Sequence, residues 1–255
     1  VSAMRIVSLC PSLTELVFDL GRGADLVGRT KFCVHPAEGV ERVERVGGTK
    51  NPKVERIVEL APDLVLLNEE ENRREDAEAL EAAGVRCHVS FPRDADETAS
   101  MVRDIGRALD RPAEAERIAA DIEARAARVR AAARGPALRY AYLIWRNPWM
   151  AAAGDTFVSA MLALPGAVNV FADLPTRYPE ITPADLAAAG PDAVLLSSEP
   201  FPFTDLHAAE LAAATGLPLS RFHFVDGEYL TWHGSRTPDG IDYAERVVRT
   251  AGNRE

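Results

Sequence analysis

Cysteine is scarce in this chain, and long apolar runs are absent. The three thiols, Cys10, Cys33 and Cys87, cannot all pair with one another and no C-x-x-C occurs. A disulfide framework and a zinc ribbon are therefore unsupported, and the usage leans towards a reducing compartment. No stretch approaches the roughly 20 apolar residues that a membrane span requires, so the chain is not expected to cross a bilayer. Excess positive charge is also missing: the net charge is −10, with Lys and Arg interleaved among Asp and Glu. That argues against nucleic acid as a partner, because phosphate contacts need clustered cations. Catalytic signatures are absent too, with no G-x-S-x-G elbow, Walker loop or H-E-x-x-H. "GRGADLVG" at 21–28 misses the dinucleotide spacing, since the glycine after Gly23 comes five residues later. No enzyme is expected. The opening "VSAMRIVSL" shows no basic segment followed by an apolar core and cleavage site, which leaves cytoplasmic residence or a removed export segment.

What is present is an α/β pattern. The 255 residues, 47% hydrophobic and 27% charged, suffice for one large domain or two ordinary ones. "RIVSL" (5–9) reads as a buried strand, and "SLTELVFDLG" (12–21) as a helix with Ser12 and Glu15 at capping-box spacing. "LVGRT" (26–30), a helix opened by Asn51, a strand at 63–68, a helix capped by Asn72 and a strand at 85–89 follow. This alternation implies parallel strands with crossover helices.

Residues 111–134 lack glycine and proline after Pro112 and are dense in Ala, Glu and Arg, which predicts a helix roughly 33 Å long. It is read either as a surface helix of one domain or as a rigid connector between two. After "GP" at 135–136 the alternation restarts: a strand at 138–145, a helix at 155–164, a helix from Thr182, strands at 192–197 and 221–227, and an amphipathic helix near 238–251. The expected organisation is an N-terminal lobe (1–110), a backbone helix (111–135) and a C-terminal lobe (136–255). The fold class is α/β, two Rossmann-like lobes with parallel-rich sheets joined by one long α-helix, with a ligand cleft between them.

"PDLVLLNEE" (62–70) returns as "PDAVLLSSE" (191–199), in each case after a short helix. In open parallel sheets ligands sit outside the carboxyl ends of the strands, so the polar end of each phrase is expected to face a shared cleft. The candidates for ligand binding stand at these strand ends: Pro11, Ser12, Thr14, Phe32, Cys33, His35, Asn68 and Glu69 in the first half. Trp145, Arg146, Asn147, Trp149, Tyr178, Ser198, Glu199, Tyr229, Trp232, His233 and Arg236 supply the second. Aromatic faces with a few directed polar groups suit a large, partly apolar organic ligand. Any one tryptophan is equally readable as a core residue. Cys33 and His35, completed by His233, are a candidate metal site, which gives the alternative of a cytoplasmic metal or metal-cofactor carrier. A hydrolytic enzyme built on Cys33 is a further alternative. Glu70 and Glu199 each lie eight residues after their proline, so a paired role is worth testing.

These residues also carry a likeness. "RIVSLCPSLTELVFDLG", "VERIVELAPDLVLLN", the long helix, "YLIWRNPWMAAAGDTFVSAMLALPGAVNVF" and "YPEITPADLAAAGPDAVLLSSEP" resemble the solute-binding proteins with a single helical backbone, across nearly the whole chain. That class serves ABC importers of vitamin B12, haem and iron siderophores, and the vitamin B12-binding branch looks nearest. The resemblance implies an extracytoplasmic, monomeric receptor that needs no cofactor of its own and binds a cobalt- or iron-containing ligand. It also implies docking to a permease dimer through one surface glutamate per lobe. Glu75 is one place from the first such position and Glu210 is a candidate for the second. Asn68 stands where the vitamin B12-binding branch places an aromatic residue.

Overall fold

Runs such as "LVLLN" and "AVLLS" are apolar at every consecutive position, the pattern of strands covered on both faces rather than one. The computed structural model describes residues 4–134 and 137–252. In chain order it contains β1 (Ile6–Ser8), α1 (Pro11–Asp19), β2 (Leu26–Arg29), α2 (Ala37–Val40), β3 (Glu44–Arg45), α3 (Val54–Glu59), β4 (Leu64–Asn68), α4 (Arg74–Ala82), β5 (Cys87–Ser90), α5 (Ala95–Ala108) and α6 (Pro112–Ala132). It continues with β6 (Arg139–Trp145), β7 (Met150–Ala151), α7 (Phe157–Ala163), β8 (Val168–Asn169), α8 (Pro183–Ala189), β9 (Ala193–Ser197), α9 (Asp205–Thr215), β10 (Phe222–Val225), α10 (Gly227–Thr231) and α11 (Thr237–Gly252). Every residue of β4 and of β9 is buried. The "GP" expected to restart the alternation lies outside the described residues.

The described chain forms two compact units. One holds the described residues up to Pro92, with Asp96–Asp121 and His233–Arg236. The other holds Arg93–Ala95, Ile122–Trp232 and the described residues from Thr237 on. The division therefore falls inside α6, and four residues from far along the chain belong to the first unit.

The first unit carries a five-stranded sheet in the order β3-β2-β1-β4-β5, with every pairing parallel. The second carries β10-β9-β6-β7, with β8 also paired to β6. Among its named strands only β6–β7 pairs antiparallel. In both sheets the opening strand is central, and the strand bearing the repeated phrase lies directly beside it, β4 on β1 and β9 on β6. The repeat thus marks equivalent places in two sheets of like construction.

The long helix is continuous. Its buried positions, Ala115, Ala119, Ile122, Ala126 and Val129, recur at intervals of four and three, one face of an amphipathic helix. Ile118, beside that stripe, is only partly buried. α5, which the sequence reading omits, packs on α6 so closely that a Cβ on Gly106 would lie 2.1 Å from Ala115 Cβ. Three helix starts differ from expectation. α3 begins at Val54 with Lys53 as its flanking residue, three places beyond the expected opening at Asn51. α1 begins at Pro11 with Cys10 as its flanking residue, because Ser12 lies inside the helix and its hydroxyl faces Cys10 and His233. α4 begins at Arg74, because the Asn72 side chain is taken by the main chain elsewhere. Thr182 does cap α8, with Asp185 completing a reciprocal capping box.

Candidate functional site

Strand order reverses beside β1 in the first sheet, and the crevice between the tips of β1 and β4 is the ordinary ligand position of such folds. Here protein groups fill it. Asn68, at the end of β4 and 1% exposed, accepts at Oδ1 from the amides of Glu70 (3.0 Å) and Glu71 (3.1 Å). Its Nδ2 donates to Ser90 O (3.0 Å) and lies 3.3 Å from His233 Nε2. An amide nitrogen only donates, so Nε2 is the acceptor and the proton of the neutral ring sits on Nδ1. Ser12 Oγ is 3.4 Å from the same Nε2. Burial lowers the His233 pKa to about 4, which keeps the ring neutral. Asn72 closes the arrangement, donating from Nδ2 to Leu9 O and Thr49 O, both at 3.0 Å. Thr14 Oγ1 donates within α1's own approach, to Ser8 Oγ at 2.9 Å and Cys10 O at 3.1 Å.

The segment that delivers His233 is fixed further along. Gly234, at φ +116, lies against Leu16 and Ser12 O of α1, and the Arg236 guanidinium grips Glu15 by two bonds of 2.9 and 2.7 Å. His233 and Arg236 are thus part of the first unit's framework, although the sequence places them with the second half.

The loop after β2 presents different chemistry. Phe32 is 51% exposed and Val34 48%, while Cys33 between them is fully buried. The Cys33 thiol is 3.1 Å from Thr30 Oγ1, and burial pushes its pKa up. Among the described residues no group of three or more His, Cys, Asp or Glu side chains is placed to hold a metal ion. The expectation that Cys33, His35 and His233 form a metal site is corrected accordingly. The thiol is enclosed in a turn where a thiolate is disfavoured, and the His233 Nε2 is engaged by Asn68, while His35 is partly buried. The same burial removes Cys33 as an accessible nucleophile. Glu69 is exposed beside these residues and Pro11 partly buried. Burial raises the pKa of Glu71, an effect that Lys50 opposes.

In the second unit the tips of β6 and β9 meet in an aromatic group. Trp145, 39% exposed at the end of β6, stands edge-on to Phe201 with centroids 5.6 Å apart. Trp149 stacks on Phe203 at 6.1 Å. Phe201 and Phe203 both pack against His207. Arg146 lies over Trp149 at 5.6 Å and binds Glu210 through two hydrogen bonds of 2.9 and 2.8 Å. Asn147 turns the β6–β7 connection at φ 65 and is exposed. The sequence reading missed Phe201, Phe203 and His207. The signal for the two phenylalanines is "PFPF" at 200–203, directly after the repeated phrase.

Several other candidates make contacts within the second unit. Glu199 Oε1 accepts from Trp232 Nε1 (2.8 Å) and Thr231 Oγ1 (3.0 Å), which anchors α10 and leaves Trp232 only 9% exposed. Ser198, exposed, accepts from Gly227 N at 2.9 Å. Tyr178 packs on the core, and Tyr229 lies 5.3 Å from the Tyr243 ring. An open cavity of about 340 Å³ beside the tips of β9 and β10 is lined by Leu196, Ser197, Ser198, Phe203, Phe224, Val225 and Asp226.

Comparison with known proteins places this geometry. Residues 6–215 match the family model described as periplasmic binding protein. The vitamin B12-binding protein of Pectobacterium carotovorum is 26% identical over 199 residues, 77% of this chain and 72% of that one. Among solved structures, the periplasmic haem-binding protein from Roseiflexus sp. RS-1, in apo form, superposes with a TM-score of 0.86 at 27% identity, covering 99% of this chain and 100% of that one. The periplasmic vitamin B12 binding protein of Vibrio cholerae has the same fold, with a TM-score of 0.87 at 24% identity over 99% of each chain. With a match spanning most of its length, and two parallel-rich α/β units behind it, the chain belongs to the periplasmic binding protein family.

Proposed function

We propose that the chain is the solute-binding receptor of an ABC import system, and that its solute is a large metal-bearing organic molecule of the corrinoid or porphyrin class. One observation carries the reading: each unit holds a large, exposed aromatic side chain at or just beyond the carboxyl end of a sheet strand, Phe32 after β2 and Trp145 at the end of β6. Exposed aromatics beside strand ends offer apolar area and ring faces to a planar body at little ordering cost, since each has only two side-chain torsions. Relatives that bind vitamin B12 and haem support the solute class. The metal arrives with the solute, so the protein's own residues serve to enclose and orient it. Delivery to a permease dimer and an extracytoplasmic location belong to the same reading.

Tryptophan fluorescence titration with cyanocobalamin, haemin and ferric siderophores tests it. Saturable quenching is expected with cyanocobalamin or haemin, and Trp145→Ala weakens that affinity about tenfold, the worth of one well-buried aromatic contact. An unchanged spectrum with both, or a response to ferric siderophores alone, would overturn the reading.

A further inference from the structure

We propose that Arg29 is a positioning residue, whose buried guanidinium locks the Thr30–Cys33 turn so that Phe32 and Val34 stand outward as a preformed apolar contact for the solute. The inference rests on the reading that strand-tip aromatics meet that solute. Arg29 is the last residue of β2 and is 3% exposed. Its Nε donates to Val40 O at 2.8 Å, and its Nη1 donates to Thr30 O at 3.1 Å and Cys33 O at 3.0 Å. The Cys33 amide returns to Thr30 O at 3.2 Å, and the thiol is drawn in against Thr30 Oγ1. With the chain pinned inward at Cys33, the residues on both sides face out.

Two large apolar side chains held in water on a tightly bonded loop are arranged for contact with something else. The lock is also a costly one. Among the described residues the guanidinium's hydrogen-bond partners are three carbonyls and no carboxylate, and burial together with nearby Arg45 lowers its pKa. Neutral donors would close a turn with less desolvation. A planar fork tying carbonyls from both ends of the loop adds fixed geometry, which matters where a contact must be presented in one orientation.

The test uses the full chain with Phe32→Ala, Val34→Ser, Arg29→Lys and the Arg29→Lys/Phe32→Ala double variant. Affinity for cyanocobalamin and haemin is read by fluorescence. Thiol labelling of the ligand-free protein is read site by site by mass spectrometry, with buried Cys10 of the same unit as internal control. Phe32→Ala and Arg29→Lys are each expected to weaken binding about tenfold, the double variant no more than either alone. Val34→Ser, which touches only the exposed face, weakens it about threefold. Arg29→Lys speeds labelling of Cys33 and leaves Cys10 unchanged. Wild-type affinity in Arg29→Lys, full additivity in the double variant, unaffected binding in both surface variants, or Cys33 labelling at the wild-type rate would each overturn the proposal. If the wild type binds neither probe, the receptor reading and the solute contact fail together, while the labelling rates still decide whether Arg29 holds the turn.

Discussion

Asn68 has two donor hydrogens and two acceptor positions on its side chain, and all four are used inside the first unit. A residue so committed shapes the loop after β4 and has nothing left for a solute. His233 is its counterpart, a neutral ring in a dry place. Its ordinary pKa of 6.5 falls to about 4 in the fold. The unfolded chain therefore binds a proton that the folded one refuses between those values, and stability falls as pH drops through that window. The full difference is about 3 kcal/mol, fully lost near pH 4 and fully present above pH 6.5. Urea denaturation between pH 4 and 7 is expected to show this slope in the wild type and not in His233→Gln, relative to the common background of the other groups. Equal slopes in the two proteins would contradict a buried neutral imidazole.

At the scale of elements, the repeated phrase explains itself. Ser197 stands six residues after Pro191 as Asn68 stands six after Pro62. Its Oγ accepts from Glu199 N at 3.4 Å, as Asn68 Oδ1 accepts from Glu70 N. Each copy ends its strand with a side chain that bends the main chain two residues on. The phrase is thus a strand with its own stop, which is why Glu70 and Glu199 correspond in sequence and yet do different work. The helix before the second copy starts from the Thr182–Asp185 capping box, whose side chains bond each other's main-chain amides at 3.2 and 2.8 Å. Thr182→Ala is expected to cost about 1 kcal/mol in chemical denaturation, with no change in solute affinity. Continuous apolar runs and the absence of helix breakers made the strands and α6 legible in the sequence. Helix starts were less so, because Ser12 and Asn72 have the chemistry of caps but find better partners in three dimensions. The candidate site was legible as a set of strand ends, and Phe32 and Trp145 remain available there. Which members had become engaged by the fold was not legible, since the contacts made at Asn68, His233 and Glu199 depend on neighbours up to 221 positions away.

At the scale of the whole molecule, two α/β units of like construction share one helix, and the chain returns to the first unit after nearly completing the second. The Arg236–Glu15 pair secures that return, with side chains only 14% and 19% exposed. Arg236→Ala is expected to lower stability by about 1–2 kcal/mol, because it removes two charge-assisted bonds and strands a half-buried carboxylate. Thermal melts at neutral pH, compared with Glu15→Gln, check it: the double variant should be little worse than Arg236→Ala alone. The fold belongs to a family in which relatives bind vitamin B12 or haem, and the solute contacts proposed for this chain stand where β2 and β6 end.

The return of His233–Arg236 has a consequence for how such a protein can be rebuilt. A duplicated plan invites cassette exchange, in which one half of the gene is replaced by the matching half of a relative. Here the first cassette is incomplete without four codons from near the far terminus. A hybrid that ignores them would place foreign side chains against Ser12, Asn68 and Glu15, and would fail at a seam that no alignment of halves reveals.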